Sequence, residues 1–598
     1  MPISPGFRLP GTSTGLRHLG APTFCAALPA AGAGARLDGR SEMNKQELKV
    51  VGASAAGTAF EWYDFFLYGA LVPVIGSKFF GGYGPAAQTV FALLTFAAGF
   101  LVRPLGAVIF ARLTDLIGRK VVFLITLILM GASTVAVGLL PTSAEIGILA
   151  PILLVTCRIL QGLAISGEYG AAITYVSEYA PRHQRAFFVG WLVGTTPLAL
   201  SLSLAVQLVV QGVVGPEAYV EWGWRIPFII SVIPLAMSVW IRAKLNESPL
   251  FLKMKEEGTR AKAPLREAFG TRARLRMFGV VLVLAASLAF IGYLSTVYLL
   301  TTTQTHLKVD PFTVNCIFMV VMLVAFALCV FFCWLSDRVG RKPVMFTGIA
   351  LSVLLIFPIA NGLTTTANPQ LARAQETVRV TLNADPAQCS FQFNPVSLGG
   401  TVSPCDQARN VLQANSVIFH RADATGPTTV VVNGTEVREG PNLADELTAA
   451  LVDAGYPVKG SAETVRIDSL GDLLDSRVLL VALLVLALAA LSQAVQGPAA
   501  ATMAEVFPTR IRTTALSIPY QIGVAFFGGL LPATMVAIGA ELGSFTAALW
   551  YPVIGMTIGL VILLFTLPET RDTDLSAVHI KGDVEDPEPA EEATAGDR

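Results

Sequence analysis

The chain is short of charge. Only 14% of its 598 residues are Asp, Glu, Lys or Arg, far fewer than a soluble protein of this length carries. Basic and acidic residues number 42 each, so no basic excess points to nucleic acid. The 7 cysteines are scattered without metal-ligand spacing. No nucleophile–base set, nucleotide loop or metal cluster stands out, so the expectation is a non-enzyme with no cofactor and no metal. What the chain does have is apolar bulk: 53% hydrophobic residues and a mean hydropathy of +0.62.

That bulk is arranged in runs of roughly 20 residues, the length that crosses a bilayer. Six fall near 51–76, 88–111, 121–141, 147–173, 186–213 and 224–245, and six more near 276–303, 312–335, 343–363, 477–500, 512–538 and 546–567. Each is expected to be a helix, because a helix satisfies its own backbone hydrogen bonds in lipid. Basic residues cluster on one side: Arg112, Arg119 and Lys120, then Arg182 and Arg185, the connector after the sixth run, Arg338, Arg341 and Lys342, and Arg510 and Arg512. The opposite turns hold little beyond Lys78 and Lys308. The basic side is read as cytoplasmic, with both termini there and the protein in the cell membrane.

Two motifs occur twice. D-L-I-G-R-K at 115–120 recurs as D-R-V-G-R-K at 337–342, each a charged turn between two apolar runs. Gly170, Glu178, Pro181 and Arg185 recur at the same spacing as Gly497, Glu505, Pro508 and Arg512. Such duplication is the usual architecture of secondary transporters. The offset is 222 residues from Asp115 to Asp337 but 327 from Gly170 to Gly497, so about 105 residues were inserted between Asp337 and Gly497. The polar stretch 364–475 fits.

A structureless loop of that length would be unusual, so the insert is read as a small α+β module outside the membrane. V-R-V-T-L (378–382), V-I-F (417–419) and T-V-V-V (429–432) read as strands, and N-G at 433–434 as a hairpin turn. Leu443, Leu447, Leu451 and Val452 form the stripe of a helix over 442–454. Cys389 and Cys405 would face an oxidising compartment and form a disulfide; the alternative is two free thiols.

The expected fold class is an all-α polytopic membrane protein of twelve helices with this insert between the ninth and tenth. Its segments are an N-terminal six-helix half (43–245), a connector (246–274), helices seven to nine (275–363), the insert (364–475) and helices ten to twelve (476–571). Residues 1–42 read as a disordered extension, with Met43 an alternative start and a targeting peptide a weaker reading. The acidic tail 572–598 reads as disordered.

Several segments carry a family resemblance: F-E-W-Y-D-F-F-L-Y-G (60–69), R-P-L-G (103–106), R-I-L-Q-G (158–162), G-E-Y-G (167–170), S-E-Y-A-P (177–181), N-E-S-P-L-F (246–251), A-E-V-F-P-T-R-I-R (504–512) and L-P-E-T-R (567–571). In this order they resemble the major facilitator superfamily and, within it, the metabolite:proton symporters. The resemblance implies proton-coupled import of organic acids, amino acids or betaine-like osmolytes. It covers roughly 45–572 without the insert. Ala111 and Cys333 stand where the superfamily motif begins with Gly, and Leu116 replaces its usual basic residue.

Ionisable residues near the bilayer centre are functional candidates. Glu61 and Asp64 share a face near the middle of the first run. Arg103 lies twelve residues before Asp115, about 18 Å along a helix, hence near mid-membrane. Arg158 is equally central, and Gln161, Glu168 and Tyr169 follow it on a polar stripe. Arg103 and Arg158, with Gln161, are expected to hold a carboxylate, because a guanidinium makes planar bidentate contacts. Glu61, Asp64 or Glu168 is expected to carry the proton, switched by movement of an arginine partner. The alternative is a set of permanent ion pairs locking helices together. The second half has almost no central charge and offers Tyr293, Tyr298, Asn315, Gln493, Gln496, Tyr520 and Gln521. Of these Tyr293, Gln493 and Gln496 are the substrate candidates.

By the resemblance, Asp115, Arg119, Asp337, Arg338 and Arg341 form charge contacts at the cytoplasmic rim that favour an outward-facing state. Glu178, Arg185, Glu505 and Arg512 complete them. Turn capping and topology are the plainer reading. The leading functional expectation is a proton-coupled importer of a small organic anion, a dicarboxylate or hydroxylated ring acid. An osmolyte or amino-acid symporter is the alternative, and a membrane sensor with an external receptor module is the alternative of another class. Expected partners are the solute, protons, the lipid bilayer and a cell-envelope partner for the insert.

Overall fold

The computed structural model describes residues 45–575 except Gly118, Gly167, 244–268, Gln388, 390–402, 459–460, Ala462 and 509–510. The extension 1–42, most of the connector and the end of the tail therefore lie outside the described residues. So do the side chains of Asp115, Arg119 and Glu168, although their backbones are helical.

The chain is mostly helical. Ten helices among the described residues are long and apolar enough to cross a membrane, from Pro85–Phe110 to Phe545–Thr566. Leu124–Leu139 is a shorter apolar helix. Lys45–Ala70 precedes them, charged in its first turns and carrying Glu61 and Asp64 within its largely apolar remainder. Large apolar side chains such as Val213, Leu354 and Phe565 are exposed, as expected where lipid rather than water is the neighbour.

Proline sets several breaks. The first helix stops at Ala70, and a new one, Val72–Phe79, starts with a proline in its first turn, where the missing N–H costs nothing. Pro358, Pro498 and Pro519 lie inside helices, where packed neighbours make up for the lost bond. Two helices loosen into π-helical turns at Leu294–Tyr298 and Ala525–Gly529. Such turns recur at functional sites. Gly340, at φ 108°, makes the sharp corner between Pro311–Val339 and Arg341–Ala367 that the D-R-V-G-R-K motif encodes.

N-terminal and C-terminal helices pack directly on one another. Thr195–Val214 and Arg185–Val193 lie against Pro311–Val339, and Pro85–Leu101 lies against Leu531–Leu542. The last pair forms a small apolar cluster in which Ala87, Val90 and Phe91 meet Ala540.

The polar insert is folded, between Arg341–Ala367 and Ser476–Glu505. It holds a four-stranded sheet of order β2-β1-β3-β4, with β1 Val380–Ala384, β2 His420–Asp423, β3 Thr429–Val432 and β4 Thr435–Arg438. β1 pairs parallel with β2 and antiparallel with β3, which pairs antiparallel with β4. The parallel pair needs a crossover, and the helix Pro404–Ala414 lies within it. Its apolar core is separate from that of the membrane helices and includes Leu382, Val430, Leu412 and Leu447.

Several expectations hold here. The third strand is found at Thr429–Val432, and Asn433 and Gly434 both have positive φ, the signature of a tight hairpin turn. The helix is Leu443–Asp453, and Cys389 and Cys405 are joined by a disulfide. The first strand begins two residues later than its pattern, at Val380. The expected strand at 417–419 is a correction: pairing starts only at His420. Val417 and Phe419 are apolar because they are buried, and the Phe419 N–H donates to the Gly543 carbonyl, outside the sheet, at 3.2 Å.

Candidate functional site

Two constellations lie along the interface between the N-terminal and C-terminal helices: a central cavity with buried charges beside it, and a charged network at one rim.

The cavity is lined by both sets of helices. Its walls are aromatic: Trp62, Phe66, Tyr169, Tyr293 and Tyr520. Its polar atoms are uncharged, from Gln493, Gln496, Thr196 and Thr296. Tyr169 and Tyr520 stack across the interface, ring centres 4.7 Å apart. Tyr293 ends its helix just before one π-helical turn, and Val524, another lining residue, precedes the other. Gln496 donates to the Ser492 hydroxyl at 2.7 Å, which fixes its amide within its own helix.

The charges stand behind this wall. Arg103 is 2% exposed, and its guanidinium carbon lies 3.9 Å from the Phe100 ring centre, 4.7 Å from Phe65 and 5.6 Å from Trp62. Tyr293, Tyr520 and Glu61 are within its electrostatic reach. Arg158, 1% exposed, lies over the Tyr68 ring at 3.8 Å, with Asp64 as its charged neighbour. Thr134 stands between Asp64 and Gln161, and Gln161 donates to its hydroxyl at 2.7 Å.

Nε, Nη1 and Nη2 of Arg158, and Nε and Nη2 of Arg103, have no hydrogen-bond partner among the described residues. Buried polar groups are nearly always paired, and a buried cation most of all. Cation–π contact offsets part of the cost. The remaining donors are suited to an anion or a rearranged carboxylate.

Of the substrate candidates, Tyr293, Gln493 and Gln496 line the cavity. Arg103 lies one ring layer behind it, while Arg158 and Gln161 belong to the Asp64 cluster. Asn315 lies away from the cavity, accepting from Gln304 at 3.0 Å. The sequence reading missed Trp62, Phe66 and Thr196 as cavity residues. An aromatic side chain in an apolar helix gives no signal that separates lining from packing, and only Trp62's place between Glu61 and Asp64 marks it.

At the rim, residues equivalent in the duplicated motif pair crosswise. Arg185 meets Glu505 at 3.0 Å, and Arg512 meets Glu178 at 2.7 Å. Arg341 joins Glu505 at 3.0 Å and Asp337 at 2.7 Å. The Asp337 carboxylate also accepts from the N–H groups of Ala186 and Phe187, capping a helix from the other half of the chain. Arg338 is exposed and stacks on Trp334 at 4.0 Å instead of entering this network.

The segment after the last helix completes the network. Thr570 donates to Glu505 at 2.6 Å, and the carbonyls of Thr573 and Leu575 accept from Arg185 and Arg512. Glu569 accepts from the N–H groups of Arg341 and Lys342 at 2.9 and 3.0 Å. Burial pushes the Glu569 carboxyl up, but these backbone donors, with those of Thr570 and Arg571, outweigh it and hold its pKa below the usual value.

The sequence model described as Major Facilitator Superfamily matches residues 55–369. The proline/betaine transporter of Salmonella typhimurium strain LT2 is 34% identical over 318 residues, 52% of this chain and 63% of its own length. The shikimate transporter of Escherichia coli K12 is 34% identical over 313 residues, 51% of this chain and 70% of its own length. The chain thus spans about three fifths of the length of several curated relatives it matches, such as the 63% of the first. Among solved structures, the proton:xylose symporter XylE bound to 6-bromo-6-deoxy-D-glucose aligns with a TM-score of 0.56 at 14% identity, over 89% of this chain and 98% of that one. At that identity the likeness bears on the fold.

Proposed function

The chain belongs to the Major Facilitator Superfamily, a family of membrane transporters, and on that premise we propose that it is a proton-coupled secondary active importer working by alternating access. Twelve membrane helices form two six-helix halves. The ten long apolar helices are joined in this reading by Lys45–Phe79 and by the helix containing Leu124–Leu139. Both termini are cytoplasmic and the insert is outside, as the one-sided distribution of basic residues supports.

The observation that carries the reading is the pair of buried arginines with unpaired donors, each beside a carboxylate, next to a cavity built by both halves. A proton on Asp64 would free Arg158, and one on Glu61 would free Arg103. The freed guanidinium then attracts the carboxylate of a solute. Solute and proton are thus taken up together, and loss of the proton inside restores the ion pair and expels the anion. The solute is a small organic anion, a dicarboxylate or hydroxylated ring acid, a class to which the shikimate of one relative's name belongs.

A second reading has its own observation. Five aromatic rings in one small cavity suit a methylated ammonium, which binds aromatic faces. A zwitterion with a carboxylate toward Arg103 and an ammonium among the rings fits too, and a relative is named for proline and betaine. Uptake by proteoliposomes of labelled shikimate, succinate, proline and glycine betaine, each with an inward pH gradient, tests the proposal. Gradient-dependent accumulation of an acid supports the first reading, and of betaine the second. No uptake of any organic acid, amino acid or osmolyte would leave the sensor reading.

A further inference from the structure

The inserted module sits on the seam between the two halves. Its helix Pro404–Ala414 packs against the start of Pro85–Leu101, an N-terminal helix. There Asn410 lies directly over Gly84, so close that a Cβ on Gly84 would collide with the amide. On the same helix, one and three residues away, Arg409 and Gln413 reach the C-terminal helices. Arg409 is 2% exposed and pairs with Glu541 at 2.5 Å, and Gln413 donates to the Ala540 carbonyl at 2.9 Å. The Phe419 N–H bonds to the Gly543 carbonyl, and Ser416 donates to the His306 carbonyl at 2.7 Å. Directly beneath, Ala540 meets Ala87, Val90 and Phe91 across the seam.

From this arrangement we infer that the module is a clasp on the gate at its own face of the transporter. The inference rests on the alternating-access reading. Opening that face separates Gly84 and Pro85 from Ala540 and Glu541, so the Pro404–Ala414 helix must let go of one side. It stays with the C-terminal half. Both ends of the module are covalently attached there, and the buried Arg409–Glu541 pair and the backbone bonds add to the hold. The contact that breaks is Asn410 on Gly84. That contact therefore biases the gate toward closure, and the module sets how often the cavity is open on its side. Gly84 has an ordinary φ of −62°, so its lack of a side chain serves the close approach and not the backbone.

The test uses the purified full-length protein in detergent, with every cysteine except Cys389 and Cys405 changed to alanine and a reporter thiol placed in the seam by Val90→Cys. Val90 is 2% exposed with the gate closed. The rate of maleimide labelling reads how often the seam opens. Asn410→Ala and Gly84→Leu should each raise it about threefold or more, with the melting temperature little changed. The exposed pair Arg373–Glu463, elsewhere on the module, supplies a control: Arg373→Ala should leave labelling unchanged. Labelling of Asn410→Ala at the parent rate would overturn the clasp; that variant only removes atoms from the contact, so it keeps its fold. The readout needs no solute. Faster labelling without uptake of any solute would sink the transport reading and keep the clasp, whereas uptake with unchanged labelling would do the reverse.

Discussion

Arg185 and Glu505 lie 320 residues apart and meet at 3.0 Å, both almost fully buried. They come from different places in the two copies of one motif, one the arginine of the first copy and the other the glutamate of the second. Their counterparts Arg512 and Glu178 make the reciprocal pair. The duplicated spacing thus sets each copy's arginine against the other copy's glutamate, a crosswise pairing that we propose as a lock on the rim.

Removing Glu505 takes the paired carboxylate from the buried guanidinium of Arg185 and one of two from that of Arg341. Glu505→Ala should lower stability by about 3–5 kcal/mol, the usual result of breaking a buried pair. Arg338→Ala, at an exposed stacked site, should fall within about 0.5 kcal/mol of the parent. Thermal unfolding of both variants checks this, and equal melting temperatures would remove the lock from the account.

Arg158→Ala should abolish solute binding and uptake while the protein still reaches the membrane in normal amount. Its donors have no hydrogen-bond partner among the described residues, so no hydrogen bond of the fold is lost with it. Unchanged affinity and rate would make Arg158 a packing residue.

Much of this was legible beforehand. The apolar runs, the duplicated motifs and the inserted module follow from periodicity and spacing, and Asn433–Gly434 turns where turn chemistry requires. Tyr293, Gln493 and Gln496 were readable because polar atoms are conspicuous in apolar helices. Trp62 and Phe66 were not, since an aromatic that lines a cavity looks like one that packs a core. The crosswise pairing was hidden too: spacing says which residues are equivalent, and only the packed halves say which ones meet. The stretch 417–419 misled because its alternation records burial beneath the module, not strand pairing.

The cavity wall gives a third prediction. Tyr520→Ala removes a stacked partner of Tyr169 and opens the cavity. It should raise KM about tenfold with a smaller change in the maximal rate, since a lost aromatic contact weakens binding by about 1 kcal/mol or more. An unchanged KM would place the solute elsewhere.

Replacing most of the inserted stretch 364–475, residues 369–463, with a short polar loop should leave a folded carrier that still transports; Val465 and Ile467, which pack in the core of the membrane helices, are kept. The module's core is separate, and its Pro404–Ala414 helix meets the carrier at the outer seam, through Asn410, Arg409 and Gln413. Normal surface amounts without binding or uptake would make the module part of the transport chemistry.

Two carboxylates should differ in their pH behaviour. The pKa of Glu569 is held below its ordinary value, so its contribution to stability is present above about pH 4.5 and lost as pH falls through its folded pKa. Glu569→Gln should thus weaken the rim without moving the pH profile of uptake between pH 5 and 8. Asp64→Asn, at the proposed proton site, should flatten that profile. The same profile in both variants would separate Asp64 from proton transfer.

Proton coupling is the centre of the account, and accumulation in proteoliposomes measures it directly. The solute that most raises the melting temperature in a screen of organic acids, amino acids and osmolytes is supplied outside, with an inward pH gradient and an inside-negative potential. The account predicts uphill accumulation that disappears when both gradients are collapsed, and that Asp64→Asn lacks while still exchanging solute. Full concentrative uptake with both gradients removed would contradict it.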